Sequence, residues 1–227
     1  MPTAPTAKPN YPCTVFGSAG YLTRATSASL QTLGAAGSLL LRVCLGENTA
    51  GVTQVFLRAG SGYAPFCGVH GDDRKIRFCM GGNTTSTVIN VIPVAGTWYD
   101  VLITWQYPGT SYGYVCASGG SDVTNSRATI AADTWNYPLY IAGQAFLVHL
   151  MRAGGKLRDV ALFAKVVSPA EWAAYKTGTL PTGSLVASWQ LYPDWADDSG
   201  NANDLTSGGI APTFNPKAAP TPKAVPA

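Results

Sequence analysis

The feature that most constrains this fold is an alternation of apolar and polar residues with a period of two. The alternation recurs in segments that begin at Leu39, Ile76, Tyr99, Tyr112 and Leu185. A period of two is typical of a strand with one buried face. Turns containing glycine and proline separate the segments, and no helical segments alternate with them. Many short strands of this kind predict an all-β sandwich or barrel rather than an α/β fold.

One short helix is predicted near residues 169–177. Ser168 and Glu171 have the spacing of a capping box, in which each side chain accepts a hydrogen bond from the other residue's amide. Pro169 suits the first helical position, and Gly178 suits the end. Because the helix is so short, we expect it to cover the β body rather than form a layer of its own.

Composition divides the chain into three zones. Residues 1–12 and 211–227 are rich in proline and alanine, whereas residues 13–210 contain all the strand patterns. Proline removes an amide donor and fixes φ, which disfavours helices and central strands. The sequence therefore predicts an N-terminal arm, one domain and a C-terminal tail. We expect a partner to hold both ends of the chain.

Charged residues make up only 12% of the chain, about half the usual share. The net charge is +3, and the basic residues do not form the stripe that nucleic acids require. No apolar stretch reaches the ~18 residues of a membrane span. The N-terminus has no pattern of a secretory signal peptide. We therefore expect no nucleic-acid partner, no membrane contact, and synthesis in a cytoplasm.

The number of cysteines is odd, and the sequence contains no Cys-x-x-Cys pair. Buried free thiols behave as small apolar side chains, and this is the predicted state rather than a disulfide frame or a zinc site. The residues concerned are Cys13, Cys44, Cys67, Cys79 and Cys116.

Several motifs follow one another in a characteristic order. Gly96–Trp105 is similar to a "G-x-W-x-x-V-x-V-T" strand. Gly155–Phe163, followed by Ser168–Glu171, is similar to "G-x-I-D-E-V-R-I-Y…L-S-x-x-E-I". Together these motifs resemble the laminin-G-like, concanavalin A-like jelly-roll family over roughly residues 12–210. The resemblance implies a two-sheet antiparallel jelly-roll sandwich. It does not determine function, because such folds carry many functions.

The scarcity of glutamate and histidine residues argues against an enzyme. Glycoside hydrolysis uses two carboxylates ~5–9 Å apart. The only glutamates are Glu47 and Glu171, and Glu171 is already assigned to the helix cap. His70 and His149 are the only histidines, and neither accompanies a recognisable nucleophile elbow. Since there is no phosphate-binding loop or dinucleotide fingerprint either, the sequence predicts a non-catalytic protein.

A group of oxygen-bearing side chains crowds one turn near the C-terminus. Ca²⁺ binds such oxygens, which makes the group a calcium candidate in a chain otherwise expected to need no cofactor. The alternative is that these side chains cap their own turn, with Gly200 at positive φ. The group comprises Asp197, Asp198, Asn201, Asn203 and Asp204.

Aromatic residues in turn-rich stretches are the remaining functional signal. We expect them to be exposed and to contact a glycan or a protein partner. The residues are Tyr107, Tyr112, Trp135, Tyr137 and Trp195. The first hypothesis is a structural or decoration protein of a virion, held by its tails among other assembly proteins in an oligomeric context. The alternative is a lectin-like adhesion module that binds a host-surface glycan.

Overall fold

A computed structural model of the chain describes residues 13–17, 20–59, 65–80, 85–129, 131–132, 135–143, 150–192 and 194–215. The predicted N-terminal arm, residues 1–12, lies outside this part of the chain. The described strands are β1 (Cys13–Phe16), β2 (Gly20–Arg24), β3 (Ala36–Cys44), β4 (Gln54–Ala59), β5 (Phe66–Val69), β6 (Ile76–Cys79), β7 (Thr87–Ile89), β8 (Trp98–Gln106), β9 (Thr110–Ala117), β10 (Asp122–Ala128), β11 (Leu139–Ile141), β12 (Gly155–Phe163), β13 (Leu185–Trp189), β14 (Thr206–Gly209) and β15 (Thr213–Asn215). The described helices are α1 (Ala28–Gln31) and α2 (Pro169–Thr177).

These strands form two antiparallel sheets. The first sheet has eight strands in the order β10-β9-β8-β3-β12-β1-β15, with β13 paired to β12. The second has seven strands in the order β14-β2-β11-β4-β5-β6-β7. About half of the pairings among the described strands join strands that are not consecutive in sequence, as in a jelly roll. The predicted fold class, a two-sheet antiparallel sandwich with one helix over residues 169–177, is confirmed.

The core lies between the two sheets and is built from the alternating residues. Leu39, Leu41 and Val43 of β3 face the second sheet and are fully buried. Two of the core indoles, Trp105 and Trp189, each keep a hydrogen bond. Trp105 Nε1 donates to Leu33 O at 2.9 Å, and Trp189 Nε1 donates to Asn203 O at 2.9 Å. Because these donors are satisfied, the rings fill the core without a desolvation penalty.

Helix α2 packs on the outer face of the first sheet. Its start is the predicted capping box: Glu171 N donates to Ser168 Oγ, and Ser168 N donates to Glu171 Oε2 at 3.0 Å. Gly178 ends the helix at φ 119°. Trp172 and Tyr175 are buried against Leu40, Leu102, Ala161 and Phe163. The helix therefore closes a second, smaller apolar core. The four-residue α1 was not predicted.

A row of charges lies beneath α2. Arg42 of β3 stands opposite Asp100 of β8 and Arg158 of β12. The Arg42 guanidinium pairs with Asp100 and lies 3.7 Å from Asp159, while Arg158 Nε donates to Asp159 Oδ2 at 2.8 Å. The Tyr175 hydroxyl donates to the Asp159 carbonyl at 3.1 Å. The two cations and two anions balance, which is the condition for keeping ionised groups in a dry layer.

The sandwich extends beyond the predicted domain boundary at residue 210. β15 adds to the first sheet by pairing with β1, Phe214 standing opposite Thr14. β14 lies at the edge of the second sheet, so the chain crosses between sheets at residues 210–212. Residues 213–215 of the expected tail, 211–227, thus form a strand, and residues 216–227 lie outside the described part of the chain. Sequence alone gave no sign of this pairing because it joins the two ends of the chain.

All five cysteines are buried free thiols, as predicted. Burial raises the pKa of Cys67 to about 12 and that of Cys13 to about 11. Only a thiolate attacks or binds a metal well, so both residues are unreactive parts of the core at neutral pH.

We predict that Asp100→Ala lowers the free energy of unfolding by about 3 kcal/mol, because it leaves the largely covered Arg42 guanidinium, 12% exposed, without its main partner. Chemical denaturation measures the loss. Glu47→Ala is the control, since its partner Arg152 lies 3.4 Å away in a half-exposed pair that contributes less than about 1 kcal/mol. Equal effects of the two substitutions would contradict the assignment.

Candidate functional site

Side chains on the outer face of the first sheet line up in rows across neighbouring strands. Antiparallel register places directly opposite residues on the same face. One row runs from β12 to β10 through Phe163, Ser38, Thr104, Tyr112 and Ser126. The next row runs through Ala161, Leu40, Leu102, Tyr114 and Thr124.

Helix α2 and the loop before it cover only part of these rows. The loop reaches Ser38, whose hydroxyl donates to Lys165 O at 2.7 Å and accepts from Val167 N at 2.8 Å. Outside the area covered by α2 and its preceding loop, the rows continue onto β9 and β10. Four side chains there form what we call the tyrosine face: Tyr112, Tyr114, Thr124 and Ser126.

The two tyrosine rings form the centre of this surface. Their centroids are 6.4 Å apart and their planes differ by 29°. Tyr112 is 43% exposed, whereas Tyr114 is partly buried against the small core under α2. Burial raises the pKa of Tyr114, and nearby Tyr112 and Asp122 raise it further. Both a ring surface and a protonated hydroxyl are therefore presented at neutral pH.

Asp122 connects the tyrosine face to the helix. Its carboxylate accepts from Lys176 Nζ at 2.9 Å on both oxygens and from Trp172 Nε1 at 3.1 Å. Asp122 is the first residue of β10, so these bonds tie the end of that edge strand to the helix. The boundary of the tyrosine face is thereby held in place.

The inner side of the same hairpin holds the tyrosine face against the second sheet. Gly113 lies between the two tyrosines and points inward; a Cβ there would meet Phe78 at 2.5 Å and Ile89 at 2.6 Å. On β10, Asn125 Nδ2 donates to Val88 O at 2.7 Å, and Arg127 donates to Thr85 O at 3.1 Å. The hairpin is therefore supported from below although β10 is exposed along its length.

The predicted contact residues are dispersed rather than gathered. The expected exposure of Trp135 is wrong: the ring is 2% exposed and stacks on Trp105 at 5.8 Å. Trp195 is half-buried against Phe214, and its Nε1 donates to Thr14 Oγ1 at 3.2 Å. Trp135 is a member of the core cluster, and Trp195 packs against that cluster.

The tyrosines among the predicted contacts are exposed. Tyr107 lies in the turn between β8 and β9, and Tyr137 in the segment before β11. Tyr112 is exposed too, but it lies in a strand rather than a loop. Among the described residues, no ring contact joins two of the five predicted aromatics. Tyr114 was missed as a contact residue, although its alternation with Tyr112 was the signal that places both on one face.

The turn considered for calcium is held by its own hydrogen bonds. The Asp197 carboxylate accepts from the backbone amides of Ser188 at 2.9 Å, Ser199 at 3.0 Å and Asn203 at 2.9 Å. Asp197 N in turn donates to Asp204 Oδ1 at 2.8 Å. Most of the oxygens that a cation would need are therefore used to shape the turn.

The other members of the group are engaged as well. Asn203 Nδ2 and Asn201 Nδ2 both donate to Val186 O, at 2.9 and 3.0 Å. Gly200 has the expected positive φ, 82°. Burial raises the pKa of Asp198, with Asp194 and Asp197 adding to the effect. Within the described ranges, no three His, Cys, Asp or Glu side chains are grouped to hold a metal ion.

The remaining candidates for chemistry do not assemble either. Cys67 is fully buried, and its raised pKa removes it as a nucleophile for His70. His70 instead lies in a surface turn, where its Nδ1 accepts a hydrogen bond from Asp72 N at 3.4 Å. His149 lies outside the described residues.

No helix in the described part of the chain is long and apolar enough to cross a membrane.

Comparison with known proteins supports the fold. No protein-family model and no curated protein matches the sequence. A Bacteroides ovatus protein described as carbohydrate-binding superposes with a TM-score of 0.68 at 14% identity, over 96% of this chain and 62% of that chain. The chain thus spans less than two thirds of that protein. A heptameric pentraxin from Limulus polyphemus gives 0.52 at 13% identity, over 88% and 94%.

A further neighbour is the binding domain of botulinum neurotoxin DC in complex with rat synaptotagmin II. It gives a TM-score of 0.53 at 10% identity, over 73% of this chain and 42% of that chain. Identities this low show the fold alone. The chain has the concanavalin A-like jelly-roll fold that its motifs resemble.

We predict that Asp197→Ala lowers the free energy of unfolding by about 3 kcal/mol, because several amides lose a charged acceptor. Asp194→Ala is the control, since Asp194 accepts from Ala196 N at 3.2 Å and from no other amide among the described residues. Thermal melts with CaCl₂ and with EDTA should give the same Tm for the wild type. A Tm that rises with calcium in the wild type but not in Asp197→Ala would instead establish a calcium site.

Proposed function

We propose that this chain is a non-catalytic glycan-binding module and that the tyrosine face is its binding surface. The observation that carries the proposal is the stacked tyrosine pair, with Tyr112 exposed and Tyr114 partly buried, flanked by the hydroxyls of Thr124 and Ser126 on a hairpin supported from below.

The chemistry of the tyrosine face suits a sugar. A pyranose has an apolar C–H face that can lie on an aromatic ring, and a rim of hydroxyls that both donate and accept. Tyrosine offers a broad ring and a polar tip on one side chain. Serine and threonine hydroxyls rotate to act as donor or acceptor. The surface thus matches both aspects of a sugar ring.

The surroundings of the tyrosine face favour binding over hydrolysis. Hydrolysis of a glycosidic bond needs a pair of carboxyl groups around it. Asp122 is the nearest carboxylate along β10, and it is held by Lys176 and Trp172. Glu171 is occupied by the helix cap and by Lys165. The structural similarity to a protein described as carbohydrate-binding adds support.

We predict that Tyr112→Ala and Tyr114→Ala each weaken glycan binding by about tenfold, equivalent to about 1.4 kcal/mol. Binding is screened on an array of immobilised oligosaccharides and quantified by calorimetry with the best ligand. Tyr137→Ala is the matched control, since that residue is 56% exposed and lies outside the tyrosine face. Wild-type affinity in both β9 variants would contradict the proposal.

We propose further that a larger assembly carries the module, a virion being the setting that the sequence favours. Ile210 is 66% exposed and Phe214 is 37% exposed at the corner where the chain passes from β14 to β15. Two exposed apolar side chains beside the last described strand suit a contact with another protein. The contact would leave the tyrosine face free on the opposite edge of the first sheet.

Deletion of residues 216–227 should abolish association with particles while β15 and the sandwich remain. Co-sedimentation with assembled particles measures this, and glycan binding of the same variant should equal that of the wild type. A truncated chain that still sediments with particles would argue against attachment through residues 216–227, and Ile210→Ser that has no effect would argue against attachment at this corner.

A further inference from the structure

We infer that the ligand of the tyrosine face is an uncharged saccharide rather than an acidic or sulfated one. The inference rests on the proposed function and concerns the class of glycan that this surface accepts.

The tyrosine face itself carries no charge. Its four side chains end in two phenols and two aliphatic hydroxyls, and the raised pKa of Tyr114 keeps that phenol neutral. Proteins recognise carboxylates and sulfates through arginine and lysine, because a charge-assisted hydrogen bond is about twice as strong as a neutral one. None of the four side chains offers that bond.

The cations on the surrounding elements are already engaged. Lys176 is held by both oxygens of Asp122 at 2.9 Å. Lys165 pairs with Glu171 at 2.5 Å and also donates to Thr182 O. Burial raises the pKa of Glu171, but its hydrogen bonds with Lys165 and Ser168 outweigh this and lower it. Glu171 is therefore ionised at neutral pH and neutralises Lys165.

Arg127, the cationic residue of β10, points away from the tyrosine face. Arg127 alternates with Ser126, so its side chain leaves the strand on the inner side, where it donates to Thr85. An acidic sugar on the outer side would thus be partly desolvated without a counter-ion. Desolvation of an unpaired charge costs binding free energy, whereas a sugar hydroxyl in the same place can form hydrogen bonds with Thr124 and Ser126.

The test is an array that contains neutral, sialylated, uronated and sulfated oligosaccharides, followed by calorimetry. Binding should be confined to the neutral members. The Kd should change less than about twofold between about 0.01 M and 1 M NaCl, over which screening of exposed charges becomes nearly complete.

A designed variant sharpens the test. Ser126→Lys places a cation on the exposed outer side of β10, and we expect it to gain about tenfold in affinity for the sialylated form of the best neutral ligand. Val123→Lys is the matched control, because residue 123 lies on the other side of the strand.

The outcomes separate the two proposals. Selective binding of acidic glycans that depends on Tyr112 and weakens with salt would overturn this inference while the proposed function stands. An array with no bound ligand would overturn the proposed function itself. Neutral binding that Tyr112→Ala leaves unchanged would place the site elsewhere and overturn both.

Discussion

The cross-strand register of β3, β8 and β9 determines what the first sheet buries and what it presents. Strand side chains alternate between faces, so a shift of one residue would exchange the two sets completely. With the observed register, Trp105 and Val101 fill the core, and Tyr112 and Tyr114 stand on the outer face. The same register sets Arg42 opposite Asp100. Core, buried ion pairs and the tyrosine face are therefore consequences of one alignment.

Helix α2 divides the outer face into two environments. Under the helix, Asp159 is buried and Arg42 is largely covered, so both charges need partners, which come from three adjacent strands. Beyond the helix the rows are exposed and end in hydroxyls. The helix is attached at this division, where Lys176 and Trp172 hold Asp122. A stabilising element of the fold thus also defines one border of the proposed site.

Local signals predicted much of the fold, and contacts distant in sequence account for the errors. The capping box predicted the start of α2 because Ser168 and Glu171 satisfy each other's amides, and Gly178 predicted its end. β15 was missed because it exists only by pairing with β1 at the far end of the chain. Trp135 has loop-like neighbours, but its burial depends on stacking against Trp105. In the turn considered for calcium, the sequence shows which side-chain oxygens are present. It does not show which backbone amides donate hydrogen bonds to them.

The candidate site was predicted only in part for the same reason. Tyr112 was chosen for its place near turns, whereas its role depends on the partner strand beside it and on Tyr114 along the same face. Gly113 separates these two tyrosines and fits tightly against the second sheet. Sequence drift at the neighbouring outward positions can therefore alter recognition without disturbing the core, while position 113 stays fixed. The hairpin thus combines an outer surface that tolerates substitution with an inner side that does not.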